Sequence, residues 1–437
     1  MNIWQLQVID GPFPWAVYAL AAVLVVILVV RRWRRRALRW ALVGAVIGGL
    51  IATAVWVYAN VSLVFGDPLP LAALAWAGAA LAASGFALGG LVGARVWRRI
   101  VSILAVPVFL FTAMLGINDW YDLNPTLGSI FGISGLNELD LPDGASTAAA
   151  PAPDAQIYQT WQAPAGMPAK GTRGTQKIPA TASGFDARDA GIYLPPAALG
   201  ADAPALPLVI MMMGQPGNPD PTAIGDVLDE FAAQHDGLAP IVIVADQLGQ
   251  DGADPAGNDP ACADSQGFGN ARTYITTDVV AWAKQNLHII DDPRYWVIAG
   301  YSNGGGCAIT YGAAFPEKWK NILDVSGEEF PGSERVDQTL ATVYGGDQSA
   351  FEASKPVTIM QKAPAGAYRG MTAVFTAGSD DPGFSAASVK LADQAKAVGM
   401  TVTQYEVPGA GHTGPALAGG LEEGFSVLYP VLGLSAG

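Results

Sequence analysis

Histidine, cysteine and charge are scarce in this 437-residue chain, which has three His, two Cys and only 14% charged residues. Each scarcity excludes something. Two cysteines and three scattered histidines make no ligand cluster, so neither a metal nor any other cofactor is expected. Residues 1–137 hold no lysine, nine arginines and four acids (Asp10, Asp67, Asp119 and Asp122), and are otherwise almost wholly apolar. That leaves 15 basic and 34 acidic residues in 138–437, a net charge of −19. So acidic a region repels a polyanion, which sets nucleic acid aside as a partner. Solubility is sufficient reason for the acidity. No internal repeat is present.

Four stretches, about 13–30, 41–65, 69–94 and 101–117, are long and apolar enough to cross a bilayer, which takes roughly 20 residues of helix. The first lacks the basic leader of a signal peptide. Arg31, Arg32, Arg34, Arg35 and Arg36 follow it instead, a stop-transfer pattern. A second cluster, Arg95, Arg98 and Arg99, separates segments 3 and 4, whereas the loop between segments 2 and 3 carries Asp67 and no basic residue. Basic residues stay on the cytoplasmic side, so both Arg-rich loops are expected inside, and the N-terminus and everything after about residue 118 outside. Segments 2 and 4 contain no ionisable residue, so no ion or proton path is indicated. Residues 1–137 are therefore expected to be a transmembrane anchor. Residues 138–156, rich in Ala, Pro and small polar residues, read as a linker. Residues 157–437 form the extracytoplasmic domain.

In that domain short apolar runs alternate with helical patterns. First strands are expected within 175–195, then at 206–214, 239–246, 295–300, 371–378 and 401–408, with helices near 221–235, 273–287, 303–315, 385–398 and 418–431. This alternation predicts an α/β fold with a mostly parallel sheet covered on both faces. Reacting groups in such sheets gather at the carboxyl ends of the strands.

Gly300-Tyr301-Ser302-Asn303-Gly304 matches G-x-S-x-G, between the strand YWVIAG and the helix opening GGGCAITYGAAF. A serine at a tight strand-to-helix turn is pushed outward, and small neighbours let the two elements approach. Ser302 needs a base. His235 and His288 precede it, whereas His412 follows in VPGAGHTG after the last strand. His412 is the preferred base. The base needs an acid to fix its tautomer, and the loop Ser379-Asp380-Asp381-Pro382-Gly383-Phe384 offers Asp381, with Asp380 as alternative. The order Ser, Asp, His is that of α/β-hydrolases. An oxyanion needs two N–H donors. Asn303 supplies one, and the loop Met213-Gly214-Gln215-Pro216-Gly217 the other, through Gln215 or Gly214. The triple methionine 211–213 is either buried strand or the lining of an acyl pocket. Cys262 and Cys307, outside the cytoplasm, read as a disulfide rather than as two free thiols.

The stretches GFDARDAGIYLPPAA, MMMGQPG, CADSQGFGNARTYITTDVVAW, GYSNGGGCA, AGSDDPGF and GAGH give residues 156–437 a likeness to a known family. The chain resembles the putative-esterase family that includes esterase D and the antigen 85 mycolyltransferases. It is more closely similar to the multi-pass membrane esterases of actinobacteria. The resemblance implies an α/β-hydrolase fold and serine chemistry. The family pattern G-x-x-D-x-F/G-F falls on Gly378 and Asp381, and its oxyanion residue on Gln215. Two departures bear on substrate choice: Asn303 stands where the family usually has Met, and Met213-Gly214 where it has His-Gly or Asp-Gly. Hydrolases and acyltransferases share these motifs.

The leading expectation is a serine esterase or acyltransferase acting on a lipid or cell-envelope ester beside the membrane, through Ser302, His412 and Asp381. The alternative is an envelope-organising or binding protein that keeps the hydrolase fold without turnover. Amide cleavage by the same triad remains a third reading. Oligomeric state is not legible.

Overall fold

The computed structural model describes residues 3–30, 34–62, 69–141, 156–200, 202–253, 257 and 259–436. Arg31 and Arg32 of the first basic cluster, Asp67, and 142–155 of the expected linker lie outside the described residues. The chain divides into two compact units, 1–135 and 136–437.

The first unit holds four helices long and apolar enough to cross a membrane: α1 (Pro12–Val29), α2 (Arg35–Val61), α3 (Leu71–Gly89) and α4 (Val96–Tyr121). Their small faces turn inward. Ala21, Leu28, Ala80, Ala87, Ala105, Phe109 and Ala113 form one buried cluster. Large apolar side chains such as Val46, Leu50, Val55, Ile103 and Leu104 point outward. Apolar residues all round a helix suit a hydrocarbon surround rather than water. Arg98 reaches from the start of α4 to the Ile27 and Val30 carbonyls, at 3.1 and 3.4 Å, placing a cation on the open carbonyls that end α1.

The second unit is an α/β-hydrolase fold. Its strands are β1 (Thr172–Gln176), β2 (Ala190–Leu194), β3 (Leu208–Met212) and β4 (Ile241–Val244), then β7 (Trp296–Tyr301), β8 (Asn321–Val325), β9 (Thr372–Gly378) and β10 (Thr401–Val407). Two short strands, β5 (Asp264–Ser265) and β6 (Gly269–Asn270), pair by themselves. The eight longer strands form one sheet in the order β1-β2-β4-β3-β7-β8-β9-β10. Pairings are parallel from β4 through β10, and antiparallel where β1 and β2 join at one edge. Helices α5 (Thr222–Gln234), α6 (Val280–Asn286), α7 (Asn303–Ala314), α8 (Val336–Thr342), α9 (Gln348–Ser354), α10 (Pro356–Lys362), α11 (Pro382–Ala397) and α12 (Gly414–Val431) complete the unit. Strands β3, β4 and β7 are buried along their whole length, because helices cover a parallel sheet on both faces.

The strands and helices expected from sequence fall within a few residues of those observed, with three differences. The expected helix 273–287 begins with a wide, π-helical turn, Tyr274–Val279, before α6. Strand β8 and helices α8 to α10 were not expected. The β8 run Asn-Ile-Leu-Asp-Val carries polar residues at both its first and fourth positions, which hides it from an apolar-run criterion. Residues 137–139, where the expected anchor gives way to the expected linker, lie against the sheet edge: Thr175 N–H donates to Asn137 O and Leu139 N–H to Thr175 O, at 2.9 and 3.0 Å.

Asp324 of β8 is fully buried beneath α7, with Gly305 and Gly327 against its side chain. Burial raises its pKa from 3.8 to about 7, and the nearby Gly327 N–H pulls more weakly the other way. A carboxyl raised on folding binds a proton more tightly in the folded than in the unfolded state. The contribution of this group to stability is therefore full below about pH 4 and is lost as pH rises through about 7. Asp324→Asn is expected to remove that fall, on the order of a few kcal/mol, when thermal unfolding midpoints of detergent-purified wild type and variant are compared from pH 4 to 8. Parallel curves for the two proteins would refute it.

Candidate active site

Because β3, β4, β7, β8, β9 and β10 run in parallel, their carboxyl ends open along one edge of the sheet, and the loops that leave them carry the candidate residues. Ser302 is the turn between β7 and α7. Its backbone sits at φ 56° and ψ −120°, a conformation that a non-glycine residue holds only when its surroundings impose it. They do. The Ser302 N–H donates to Val325 O at 2.9 Å, and the Ser302 carbonyl accepts from Gly306 N–H at 3.1 Å. A methyl group on Gly300 would lie 1.9 Å from the Gly304 carbonyl oxygen, and one on Gly304 would lie 2.2 Å from that of Met212. The turn closes only because both positions lack a side chain.

His412 lies in the loop between β10 and α12. Its Nε2 is 2.8 Å from Ser302 Oγ, and its Nδ1 is 3.0 Å from Asp381 Oδ2. An ionised carboxylate only accepts, so Nδ1 carries the proton and a neutral Nε2 is left to accept from the serine hydroxyl. The imidazole is flanked by Phe384, stacked at 4.0 Å between centroids, and by Tyr301 at 5.2 Å. Asp381 caps α11, with Oδ1 accepting a long 3.4 Å bond from Phe384 N–H.

The two adjacent aspartates do different things. Asp380 has an exposed side chain, but its N–H donates to Ala410 O at 2.9 Å. The Ser379 hydroxyl accepts from Gly409 N–H at 2.8 Å, and Ser379 N–H donates to Val407 O at 3.0 Å. These bonds fasten the loop carrying Asp381 to the loop carrying His412. The other histidines stand elsewhere. His235 ends α5, with Nδ1 2.7 Å from Phe231 O and its ring against Phe231 and Tyr429. His288 lies between α6 and β7, where its carbonyl accepts from Leu206 N–H.

Asn303 is buried, and its N–H is the first of α7. Gly214 abuts Ser302: a Cβ there would be 3.1 Å from Ser302 Cβ and 3.5 Å from Oγ. Among the described residues, the N–H groups of Asn303 and Gln215 donate to no backbone carbonyl. Met211 and Met212 are fully buried strand residues, so those two methionines belong to the core. Beside α7, burial raises the carboxyls of Asp259 and Glu328, and the charge of Asp259 raises Glu328 further. Asp259 also lies next to the Asn303 side chain.

Two further residues reach this loop and were not expected from sequence. Arg188 pairs with buried Asp246 through Nη2 at 2.7 Å, and its Nη1 donates to Gly217 O at 2.8 Å and Asn218 Oδ1 at 3.1 Å. Gln247, buried, donates to Met213 O at 2.6 Å and Asn303 Oδ1 at 3.0 Å. The position of Asp246 and Gln247, directly after a buried parallel strand, was the available signal.

The fold is of the α/β-hydrolase class. The family described as putative esterase matches residues 186–414, and the chain belongs to it. An uncharacterized protein of Corynebacterium glutamicum is 32% identical over 385 residues, covering 86% of each chain. Among solved structures, an S-formylglutathione hydrolase of Agrobacterium tumefaciens aligns with a TM-score of 0.48 and 16% identity, over 61% of this chain and 96% of its own. A fluorophosphonate-binding serine hydrolase of Staphylococcus aureus aligns with a TM-score of 0.47 and 14% identity, over 60% of this chain and 99% of its own. Membership of the family supports ester hydrolase activity.

Cys262 and Cys307 are joined as a disulfide, with Cα atoms 5.3 Å apart and a sequence separation of 45. Cys307 lies on α7 shortly after Ser302, so the bond ties Cys262 and its neighbours to that helix. Closing a loop of this length restricts the unfolded chain and stabilises by about 2–4 kcal/mol. The Cys262→Ala/Cys307→Ala double variant is expected to unfold at correspondingly lower denaturant, and wild type in dithiothreitol to match it. Equal stability of all three would remove the bond from the account.

Proposed function

We propose that the chain is a membrane-anchored serine esterase or acyltransferase that uses Ser302 as nucleophile, His412 as general base and Asp381 as the acid that orients it. One observation carries this reading: Asp381, His412 and Ser302 form a continuous hydrogen-bonded chain at a strained strand-to-helix turn. Removing the serine proton through His412 makes a weak nucleophile competent. Ser302 Oγ adds to the ester carbonyl, and the resulting oxyanion lies against the N–H groups of Asn303 and of Gln215 or Gly214. His412 then gives its proton to the departing alcohol, leaving an acyl-enzyme. Water activated by the same histidine releases a carboxylic acid, whereas a hydroxyl-bearing acceptor takes the acyl group instead.

The four apolar helices and the arginine distribution support an anchor with the catalytic domain outside. A tethered enzyme acts on what lies within reach of the bilayer, which favours a lipid or cell-envelope ester, such as an acylated or aminoacylated lipid.

The purified full-length protein is expected to be labelled by a fluorophosphonate probe. Ser302→Ala should abolish labelling and lower ester turnover by roughly 10⁴-fold or more, and His412→Ala should lower both strongly. A folded wild type that takes no label would favour the non-catalytic binding protein instead. For orientation, alkaline phosphatase fused after residue 437 should be active in cells and green fluorescent protein dark; the opposite pair would place the domain inside.

A further inference from the structure

We propose that Gln247 is a positioning residue for the oxyanion hole, holding the two donor-bearing segments in register through one side-chain amide. The proposal rests on the serine-hydrolase reading above and deepens it.

The two segments belong to different elements. One is the loop after β3, Met213 to Asn218; the other is the first residue of α7, Asn303. Strand β3 lies between β4 and β7 in the sheet, so the carboxyl end of β4 stands beside the loop after β3. Gln247 is the third residue past that end. Its amide carries two hydrogens, and the structure uses both: one goes to Met213 O at 2.6 Å, the other to Asn303 Oδ1 at 3.0 Å.

The consequence follows from peptide geometry. In a trans peptide the C=O and the next N–H point in opposite directions. Fixing the Met213 carbonyl toward Gln247 therefore aims the Gly214 N–H the other way and sets the plane from which Gln215 leaves. Gly214 is the residue that abuts Ser302 Cβ and Oγ. The second bond fixes Asn303, whose own N–H is the other donor. The far end of the loop is held separately, by Arg188 on Gly217 O and Asn218. Gln247 is thus the described side chain that bonds both halves of the hole. It is 2% exposed, so water competes little for these bonds.

A preorganised hole acts on the transition state, where charge develops on the carbonyl oxygen, and little on the neutral ester. Loss of positioning should therefore appear in kcat and spare KM. The test compares full-length wild type, Gln247→Met, Gln247→Glu, Asn303→Ala and the Gln247→Met/Asn303→Ala double variant. Readouts are hydrolysis of p-nitrophenyl butyrate and inactivation by a p-nitrophenyl phosphonate, a probe whose adduct mimics the tetrahedral intermediate.

Gln247→Met and Gln247→Glu should lower kcat by about 10- to 100-fold, less than the roughly 10²- to 10³-fold expected for deleting a donor outright. KM should stay within about threefold, and the phosphonate inactivation rate should fall in step with kcat. The double variant should lose little beyond Gln247→Met alone, because one bond is shared. Should Gln247→Met fail to fold, Gln247→Glu and Asn303→Ala carry the same comparison. If wild type does not turn over the butyrate, the inactivation rate alone decides. Unchanged kcat and inactivation in the Gln247 variants, with Ser302→Ala inactive, would overturn the proposal and leave the hydrolase reading intact. A fall shared equally by kcat, KM and the melting temperature, additive with Asn303→Ala, would make Gln247 a packing residue and also overturn it. Full activity of Ser302→Ala would instead remove the reading on which the proposal rests.

Discussion

The turn at Ser302 is the constraint around which the second unit is arranged. A residue with a side chain is held at positive φ, and nothing in its own chemistry favours that conformation. The surrounding structure supplies what the residue lacks: a hydrogen bond from its N–H into β8, another to its carbonyl from the first turn of α7, and two glycines that let strand and helix close on each other. Removing any of these would relax the turn. The serine would then no longer project from the carboxyl edge of the sheet, where the loops after β3, β9 and β10 meet it. The long buried strands serve this turn, because only a rigid sheet can hold it against its own preference.

Much of this arrangement was legible in the sequence. Continuous apolar runs marked β3, β4, β7 and β9, since strands buried on both faces need no alternation. The glycines around Ser302 were readable because close approach leaves few other choices of residue. The position of His412 followed from chain order. Four apolar stretches and the arginines between them marked the first unit.

The elements that the sequence does not announce have physical reasons for it. Strand β8 carries Asn321 and Asp324, and its burial is set by α7 above it rather than by its own composition. Helices α8, α9 and α10 are seven residues each, too short for periodicity to register. Gln247 and Arg188 act on backbone carbonyls tens of residues away in sequence, and nothing local announces such a bond. The preference for Asp381 over Asp380 drew on the family pattern at Gly378, whereas the physical difference between them, which one the loop turns toward the imidazole, was not readable from the residues themselves.

The bonds that join the loop after β9 to the loop after β10 have a mechanical meaning. Through Ser379 and the Asp380 N–H, the segment bearing Asp381 and the segment bearing His412 are fastened into one piece, while Ser302 sits at the turn between β7 and α7. A displacement of either loop is therefore shared by the other. The Asp381–His412 contact thus lies within one braced segment, whereas the His412–Ser302 contact joins that segment to the turn between β7 and α7.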